Sequence, residues 1–441
     1  MTTISKLVCI EISIFILLYG WFLARLIGAW SHPAVVYAVF WFGMTFLPLV
    51  VMFPLQGNIQ AMIYILATVV AFSAPALCSN WHKSVMIAKS RLTNHEDPAV
   101  WLHLAFLFLQ GIAVAFVFLN MERQGIPFAE FLRAPTQTSA RYLALRYNNQ
   151  IASNIFSQLG LTFSYIGAAL GGMLVVSTSS RLRVLLIFAL ALAPPVLHMA
   201  IYADKGTLFL AGAFYFAGVL VTRVSRGNTA LVDSSTLKIA ILLTIIASPL
   251  IIYSLYIRAS GNLAYYVSSY AFGHLYAFSD WFHLLPFEAG PTLEYTNPEA
   301  PTYGYWTFMA IAKYLVAAQE LPPGYFAEYY IIPGVLSSNI FTMFRGLIYD
   351  FGIVGSLVFM SAFGFTASLA YRWMLATPAP VLAQVFYVLT IGCIYTSYII
   401  SLLVWSSIYA SMVGLAVILG MDRAVKMSTL LSNSQAEYST A

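Results

Sequence analysis

"AVWLHLAFLFLQGIAVAFVFL", residues 99–119, contains no Asp, Glu, Lys or Arg. As a helix rising 1.5 Å per residue, a run of this length covers the roughly 30 Å hydrocarbon core of a bilayer. Similar runs recur along the chain, near residues 7–27, 33–54, 58–78, 154–176, 184–202, 206–222, 239–257, 347–371, 380–399 and 402–420. Together they predict an all-α, polytopic integral membrane protein with about 11 transmembrane helices, in a range of roughly 10–13. The composition agrees: 61% of the 441 residues are hydrophobic and 8% charged, and the mean hydropathy is +0.82. Residues 1–441 therefore read as a single membrane domain with no soluble domain left over. The first apolar run has no small-residue cleavage site followed by a polar mature region, so it is expected to be a retained helix.

Cys9, Cys78 and Cys393 lie in apolar segments without the spacing of a disulfide framework or a zinc site, and are expected to pack. The net charge of +5 raises the question of an anionic partner such as nucleic acid, but charge in a membrane protein is read loop by loop. Lys83, Lys89 and Arg91, then Arg181 and Arg183, then Arg223, Arg226 and Lys238 alternate along the chain so as to share one side with Arg25, Arg372, Arg423 and Lys426. The positive-inside rule makes that side cytoplasmic and puts two larger loops, 120–153 and 258–346, on the outer side. The second is rich in Tyr, Phe and Trp, and stretches such as "YWTFMAIAKYLVAA" (305–318) predict interfacial helices at headgroup depth. No internal repeat, heptad or low-complexity tract is present, which weighs against the paired halves of many transporters.

The outer side holds discrete arginines, and a guanidinium fork matches phosphate oxygens. In "SARYLALRYNNQ" (139–150), Arg141 and Arg146 are five apart, so one helix would send them in different directions. Each is either a phosphate ligand or a solvated surface cation. In "PPVLHMAIYADKGTLFL" (194–210), His198, Tyr202 and Lys205 fall at i, i+4 and i+7, a stripe ending at the outer interface, with Gly206 allowing a tight return. Residues 265–287, "YYVSSYAFGHLYAFSDWFHLLPF", read as one helix put Tyr270, His274 and Trp281 on one stripe and Tyr276, Asp280 and His283 on another. Such a surface is either an interfacial aromatic belt or a glycan site, where rings carry the apolar faces of sugars and polar groups take the hydroxyls. His274 or Asp280 could then serve as a general base.

In "SNIFTMFRGLIYDFGIVGS" (338–356), Ser337, Ser338 or Asn339 can cap a helix, placing Arg345 in its second turn. A cation there works against the helix dipole, which points to an anion outside the helix. Asp350, five residues on, is a poor partner for Arg345 and is expected to find a cation elsewhere as a structural ion partner. Gly352, Gly355 and Ser356 offer small surface for close helix packing. No phosphate-binding glycine loop, nucleophile elbow, His-x-x-x-His pair or DxD carboxylate pair occurs, so no metal and no nucleotide cofactor is expected.

The order of "YAFGHLYAFSDWF" (270–282), "YGYWTF" (303–308) and "SNIFTMFRGLIYDFGIVGS", within one large outer loop ahead of a late helix, resembles the Wzy-type O-antigen (oligosaccharide repeat-unit) polymerases. The Arg-Gly-x-x-x-Asp-Phe-Gly element is the more specific part, and the N-terminal half matches only in its pattern of spans. Lys205 departs from the family, where many relatives are expected to carry Arg. The resemblance implies a metal-independent glycosyltransferase of the bacterial inner membrane with its active site facing the periplasm. It would transfer the growing glycan from undecaprenyl diphosphate to the non-reducing end of a new lipid-linked repeat unit. Arg345, Arg146, Arg141 and Lys205 would bind diphosphate, His274 or Asp280 would be the base, and Tyr270, Tyr276 and Trp281 would line the glycan path. The implied partners are the undecaprenyl-diphosphate-linked oligosaccharide as donor and acceptor, membrane lipids, and a chain-length regulator and flippase of the same pathway, with no nucleic acid. Competing readings are an O-antigen ligase, which shares the donor, and a lipid-linked oligosaccharide flippase or transporter. The latter predicts charges at the midplane of several helices, whereas here only Glu11 and His198 depart from the outer ends.

Overall fold

The computed structural model describes residues 2–53, 55–90, 100–148, 150–151, 154–233, 241, 248–249, 251–253, 262–283, 295, 301–315 and 325–440. The described residues are overwhelmingly helical, and nine of their helices are long and apolar enough to cross a membrane. The protein is thus a polytopic membrane protein. The run 99–119 becomes the helix Val100–Arg123. Leu102, Phe106, Leu109 and Ala113 are buried on it, while Leu104, Leu107 and Phe108 are exposed. A helix apolar on its exposed face as well as its buried one belongs in lipid rather than water. The expected span at 380–399 is a shorter helix, Val381–Thr396. All but a few residues of the span expected at 239–257, together with Arg91, Lys238 and Arg258, lie outside the described residues.

The chain divides into two compact units. The first comprises Met1–Ile87, Thr229–Arg372 and Thr390–Ser406, and the second Ala88–Asn228, Trp373–Leu389 and Ser407–Ala441.

In the first unit, α1 (Thr2–Ile27), α2 (Pro33–Val51) and α3 (Ile59–Leu77) pack on one another. Pro33 opens α2 where its missing N–H is not needed, and the His32 ring accepts from Ala34 N. Asn58 caps α3, its Oδ1 accepting from Gln60 N at 2.7 Å and Ala61 N at 3.2 Å. A short helix, α4 (Trp81–Lys89), follows, with Trp81–Ile87 in this unit.

In the second unit, α5 (Val100–Arg123), α6 (Phe128–Arg133) and α7 (Pro135–Tyr147) precede α8 (Ile155–Val175), α9 (Arg181–Tyr202) and α10 (Lys205–Ser225). Helix α8 packs against α5, α9 and α10. Its approach to α10 is made by glycine on both sides. A Cβ on Gly172 would lie 1.9 Å from the Tyr215 carbonyl oxygen, and one on Gly218 would lie 2.1 Å from that of Ala169. Backbone-to-backbone contact of this kind replaces the hydrophobic driving force that lipid does not supply.

The remaining elements of the first unit build the site. They are α11 (Leu263–Ala271), α12 (Gly273–His283), α13 (Met309–Ala312), β1 (Tyr330–Ile332), β2 (Leu336–Ser338) and the start of α14 (Thr342–Ala376). Helix α15 (Val381–Thr396) and α16 (Ser406–Thr440) complete the chain. Strands β1 and β2 form an antiparallel hairpin, with Tyr330 opposite Ser338, Ile331 opposite Ser337 and Ile332 opposite Leu336. This hairpin departs from the all-α expectation. It also divides the expected helix 265–287: β2 lies so close that a Cβ on Gly273 would meet Ser338 Cβ at 2.5 Å, and the helix breaks at Phe272 into α11 and α12. Among the described residues of the helix expected at 305–318, only α13 is helical, and the backbone N–H groups of Trp306 and Thr307 are given to Asp350.

Helix α14 is kinked at Gly352, whose φ of 68° and ψ of 178° lie in a region that side chains avoid. Residues 342–351 thereby form a separate arm. A Cβ on Gly352 would meet nothing within 4 Å, so this glycine provides a backbone conformation and not the close packing expected of it. Ser356 joins α14 to α3 by a hydrogen bond to the Tyr64 hydroxyl at 2.6 Å. At the arm's start, the cap is neither Ser337, Ser338 nor Asn339. Thr342, itself at φ 65°, accepts from Phe344 N through Oγ1, so Arg345 stands in the first turn and not the second.

Candidate functional site

The sequence-derived residues divide between the two units: Tyr270, His274, Tyr276, Asp280, Trp281, Arg345 and Asp350 belong to the first, Arg141, Arg146 and Lys205 to the second.

Arg345 is fully buried. Its guanidinium carbon lies 4.3 Å from the ring centre of Phe326, 4.4 Å from Phe341, 5.3 Å from Tyr349 and 5.4 Å from both Trp281 and Tyr295. Ring faces attract a cation, and the effect grows when water is excluded, to about 2 kcal/mol for a desolvated pair. Nε donates to the Tyr349 hydroxyl at 2.8 Å, and Nη2 donates to Glu328 Oε1 at 3.2 Å. Glu328 keeps one-fifth of its side chain exposed. Nη1 has no hydrogen-bond partner among the described residues. A buried guanidinium with an unused donor is costly, and such groups need a reason.

Asp350 is also fully buried, and its partners are neutral. Oδ1 accepts from the Thr302 hydroxyl at 2.6 Å and Trp306 N at 3.0 Å, while Oδ2 accepts from Thr307 N and the Thr307 hydroxyl, both at 2.6 Å. Among the described residues no cation pairs with it, so the expected ion partnership is replaced by a carboxylate saturated with loop donors. The loop also finishes the arm. The kink leaves the Tyr349 and Asp350 carbonyls without helical donors, and Thr302 N and Tyr303 N reach them at 3.1 and 3.2 Å. Trp306 stacks on Phe326 at 4.8 Å, so the surroundings of Asp350 run on into those of Arg345.

The aromatic helix splits its candidates. Trp281 lies against Arg345, 5.5 Å from the Tyr349 ring, away from any open surface. Tyr270 is half-buried on α11. The Tyr276 hydroxyl donates to the Pro48 carbonyl at 2.8 Å, and its burial raises its pKa above the usual tyrosine value. His274 is fully buried, its Nε2 against the Met44 carbonyl at 2.9 Å and its ring edge-on to Tyr398. Burial pushes its pKa down to about 4, against the pull of the Met44 and Ala271 carbonyls. Of the two candidate bases, only Asp280 is partly open, and the Tyr295 hydroxyl donates to its Oδ2 at 2.6 Å. Tyr295 thus stands between Asp280 and the Arg345 guanidinium.

In the second unit, Arg141 is exposed and paired with Glu130 at 2.9 Å, while Arg146 is exposed and lies in the field of Asp204. The stripe through His198, Tyr202 and Lys205 ends early. Helix α9 stops at Tyr202, Ala203 takes the left-handed conformation at φ 53°, and Asp204 caps α10, which Lys205 opens. The turn residue is therefore Ala203 and not Gly206. Asp204 accepts from Gly206 N at 3.1 Å and the Thr207 hydroxyl at 3.0 Å. Burial alone would raise its carboxyl pKa, but the charges of His198 and Arg146 and these hydrogen bonds hold it below the usual range. Beside it, the Tyr202 hydroxyl accepts from Asn120 Nδ2 and donates to the Val117 carbonyl, both at 2.7 Å.

Neither motif nor spacing marks Glu328, Tyr295, Phe326 or Phe341 as partners of Arg345, or Thr302 and Thr307 as partners of Asp350. The one available signal was the isolation of Glu328 within the apolar run "YFAEYYII" (325–332). Three or more His, Cys, Asp or Glu side chains do not come together as a metal site among the described residues. Compared with known protein families, curated proteins and solved structures, the chain matches none.

Proposed function

We infer that the protein is a glycosyltransferase that polymerises lipid-linked oligosaccharide repeat units, of the Wzy type its sequence resembles, at the periplasmic face of a bacterial inner membrane. The observation that carries this reading is Arg345, a buried cation in the most family-like element of the sequence, with Nη1 lacking a partner among the described residues and Nη2 held by a partly exposed carboxylate. A guanidinium in this setting fits an anionic ligand, and a lipid diphosphate is the anion that the resemblance implies.

In the proposed reaction, the acceptor hydroxyl oxygen attacks the anomeric carbon of the donor. The bond from that carbon to the diphosphate oxygen breaks, and the departing charge stays on the lipid diphosphate. Arg345 would stabilise that charge once Glu328 yields its place on Nη2 to a phosphate oxygen. The acceptor proton would go to Asp280, which is better exposed than His274 for this work. Activation is already stored in the diphosphate, so the step needs no nucleotide. Arg146 and Lys205 of the second unit are proposed as contacts for anionic headgroups, with Arg141 less available because Glu130 holds it.

Lipopolysaccharide banding with and without the gene tests the reading. A polymerase mutant displays a single repeat unit on lipid A core, a ligase mutant displays none, and a flippase mutant strands loaded carrier inside the cell. Normal ladders in the absence of the gene overturn all three.

A further inference from the structure

We propose that a second site in the first unit, a cavity of about 360 Å³ between the α2–α3 loop and α12, binds one neutral pyranose ring of the glycan. Its walls include Gln56, Asn58, Gln60, Ser279, Asp280 and Tyr330. The identity of the glycan rests on the function proposed above, but the chemistry of the cavity stands apart from it.

Three features point to a sugar. The lining contains planar amides, a carboxylate, the His283 imidazole and hydroxyls beside the rings of Tyr276 and Tyr330, and no Lys or Arg. That set suits a ligand with several hydroxyls and an apolar face, and offers a phosphate no permanent cation. Second, the polar groups are available. The Asn58 Oδ1 is committed to capping α3, which leaves its Nδ2 to donate. Asp280 receives Tyr295 on Oδ2, which leaves Oδ1 to accept. Third, Ser279 is buried to 4% exposure in this wall, and its hydroxyl has no partner among the described residues. A buried hydroxyl facing a polar cavity is satisfied by what fills it. The size falls within the range of ligand pockets, about 300–1,000 Å³.

The site also gives Asp280 two neighbours of different kinds. The pyranose hydroxyls would meet its Oδ1, and its Oδ2 remains tied through Tyr295 to the surroundings of Arg345. A sugar seated here would be the acceptor, because its hydroxyl would meet the proposed base.

The test uses the full chain in lipid nanodiscs and saturation-transfer NMR with neutral methyl pyranosides (gluco, galacto, manno, 6-deoxy and N-acetylated) and with cationic methyl glucosaminide. At least one neutral glycoside is expected to receive saturation. Its dissociation constant should rise on the order of tenfold in Gln60→Ala and in Asp280→Asn, the loss of one or two hydrogen bonds. Gln60 is exposed, so its variant keeps the fold, and an unchanged thermal midpoint certifies both variants. Absence of saturation for every neutral glycoside overturns the site, as does unchanged binding in both cavity variants. Binding confined to methyl glucosaminide, whose ammonium would seek Asp280, overturns the neutral ligand. Sugar binding without polymer in the banding assay leaves the cavity standing and removes the polymerase reading. Polymer without sugar binding does the reverse.

Discussion

The Nε of Arg345 donates to the Tyr349 hydroxyl at 2.8 Å, one helical turn further along the same arm, while Nη2 reaches back to Glu328. A planar fork can satisfy both directions at once, and an ammonium cannot. Arg345→Lys is therefore expected to reduce long-chain product on the order of 100-fold or more, comparable with removing one oxyanion donor. Tyr349→Phe, which removes one hydrogen bond, should cost about tenfold or less. Gel banding with immunoblots for protein level separates these from loss of protein. Ladders of normal length from Arg345→Lys would show that charge alone suffices.

Asp350→Asn keeps the shape and loses an acceptor. Its amide would turn an N–H₂ toward donors from either Thr302 and Trp306 or Thr307. The expected cost is about 3 kcal/mol, the usual scale for stranding buried polar groups. Thr302→Ala removes one donor and should cost about 1 kcal/mol. Thermal unfolding of the purified protein in detergent reads both, and equal midpoints for Asp350→Asn and the unmodified chain would contradict the network.

Gly352→Ala isolates backbone from packing, since the added methyl would meet nothing within 4 Å. The φ of 68° and ψ of 178° are still closed to alanine, at a cost of about 1–3 kcal/mol. The arm should straighten, carrying Arg345 and Asp350 off their partners. Activity is expected to fall further than stability, measured as chain-length ladders beside a thermal midpoint. A variant that keeps both would place the kink outside the site's requirements.

His274 should make stability depend on pH. Its folded pKa of about 4 lies below the ordinary 6.5, so between these values the unfolded chain holds the extra proton. Its stabilising contribution is complete above about pH 6.5 and declines as pH falls toward 4, by about 3 kcal/mol over the full interval. Thermal midpoints at pH 7 and pH 5 in His274→Asn, whose amide can still reach the Met44 carbonyl, should differ less than in the unmodified chain. An equal pH response would exclude His274 as a source.

The membrane architecture was legible because it follows from length and polarity alone: the helix Val100–Arg123 can be read directly from residues 99–119. The divergence of Arg345 from Asp350 was also legible, since it is a property of helical spacing. Their partners were not, because each comes from a distant segment without a periodic signature. Glu328 is 17 residues from Arg345, and Thr307 is 43 from Asp350. The break at Phe272 was hidden for the same reason, as it depends on β2 lying against Gly273. The glycines of "YDFGIVGS" read as packing surface, although Gly352 acts through its dihedrals, which a sequence does not display.

The loop at 302–307 gives the arm two backbone N–H groups for its open carbonyls and four hydrogen bonds for Asp350. The arm in turn holds Arg345, a cation at the positive end of its dipole, and Asp350, an anion at the negative end. Neither half is comfortable without the other. Loop and arm should therefore open as one cooperative unit, so the amides of Trp306, Thr307 and Tyr349 are expected to exchange hydrogen with one common protection factor.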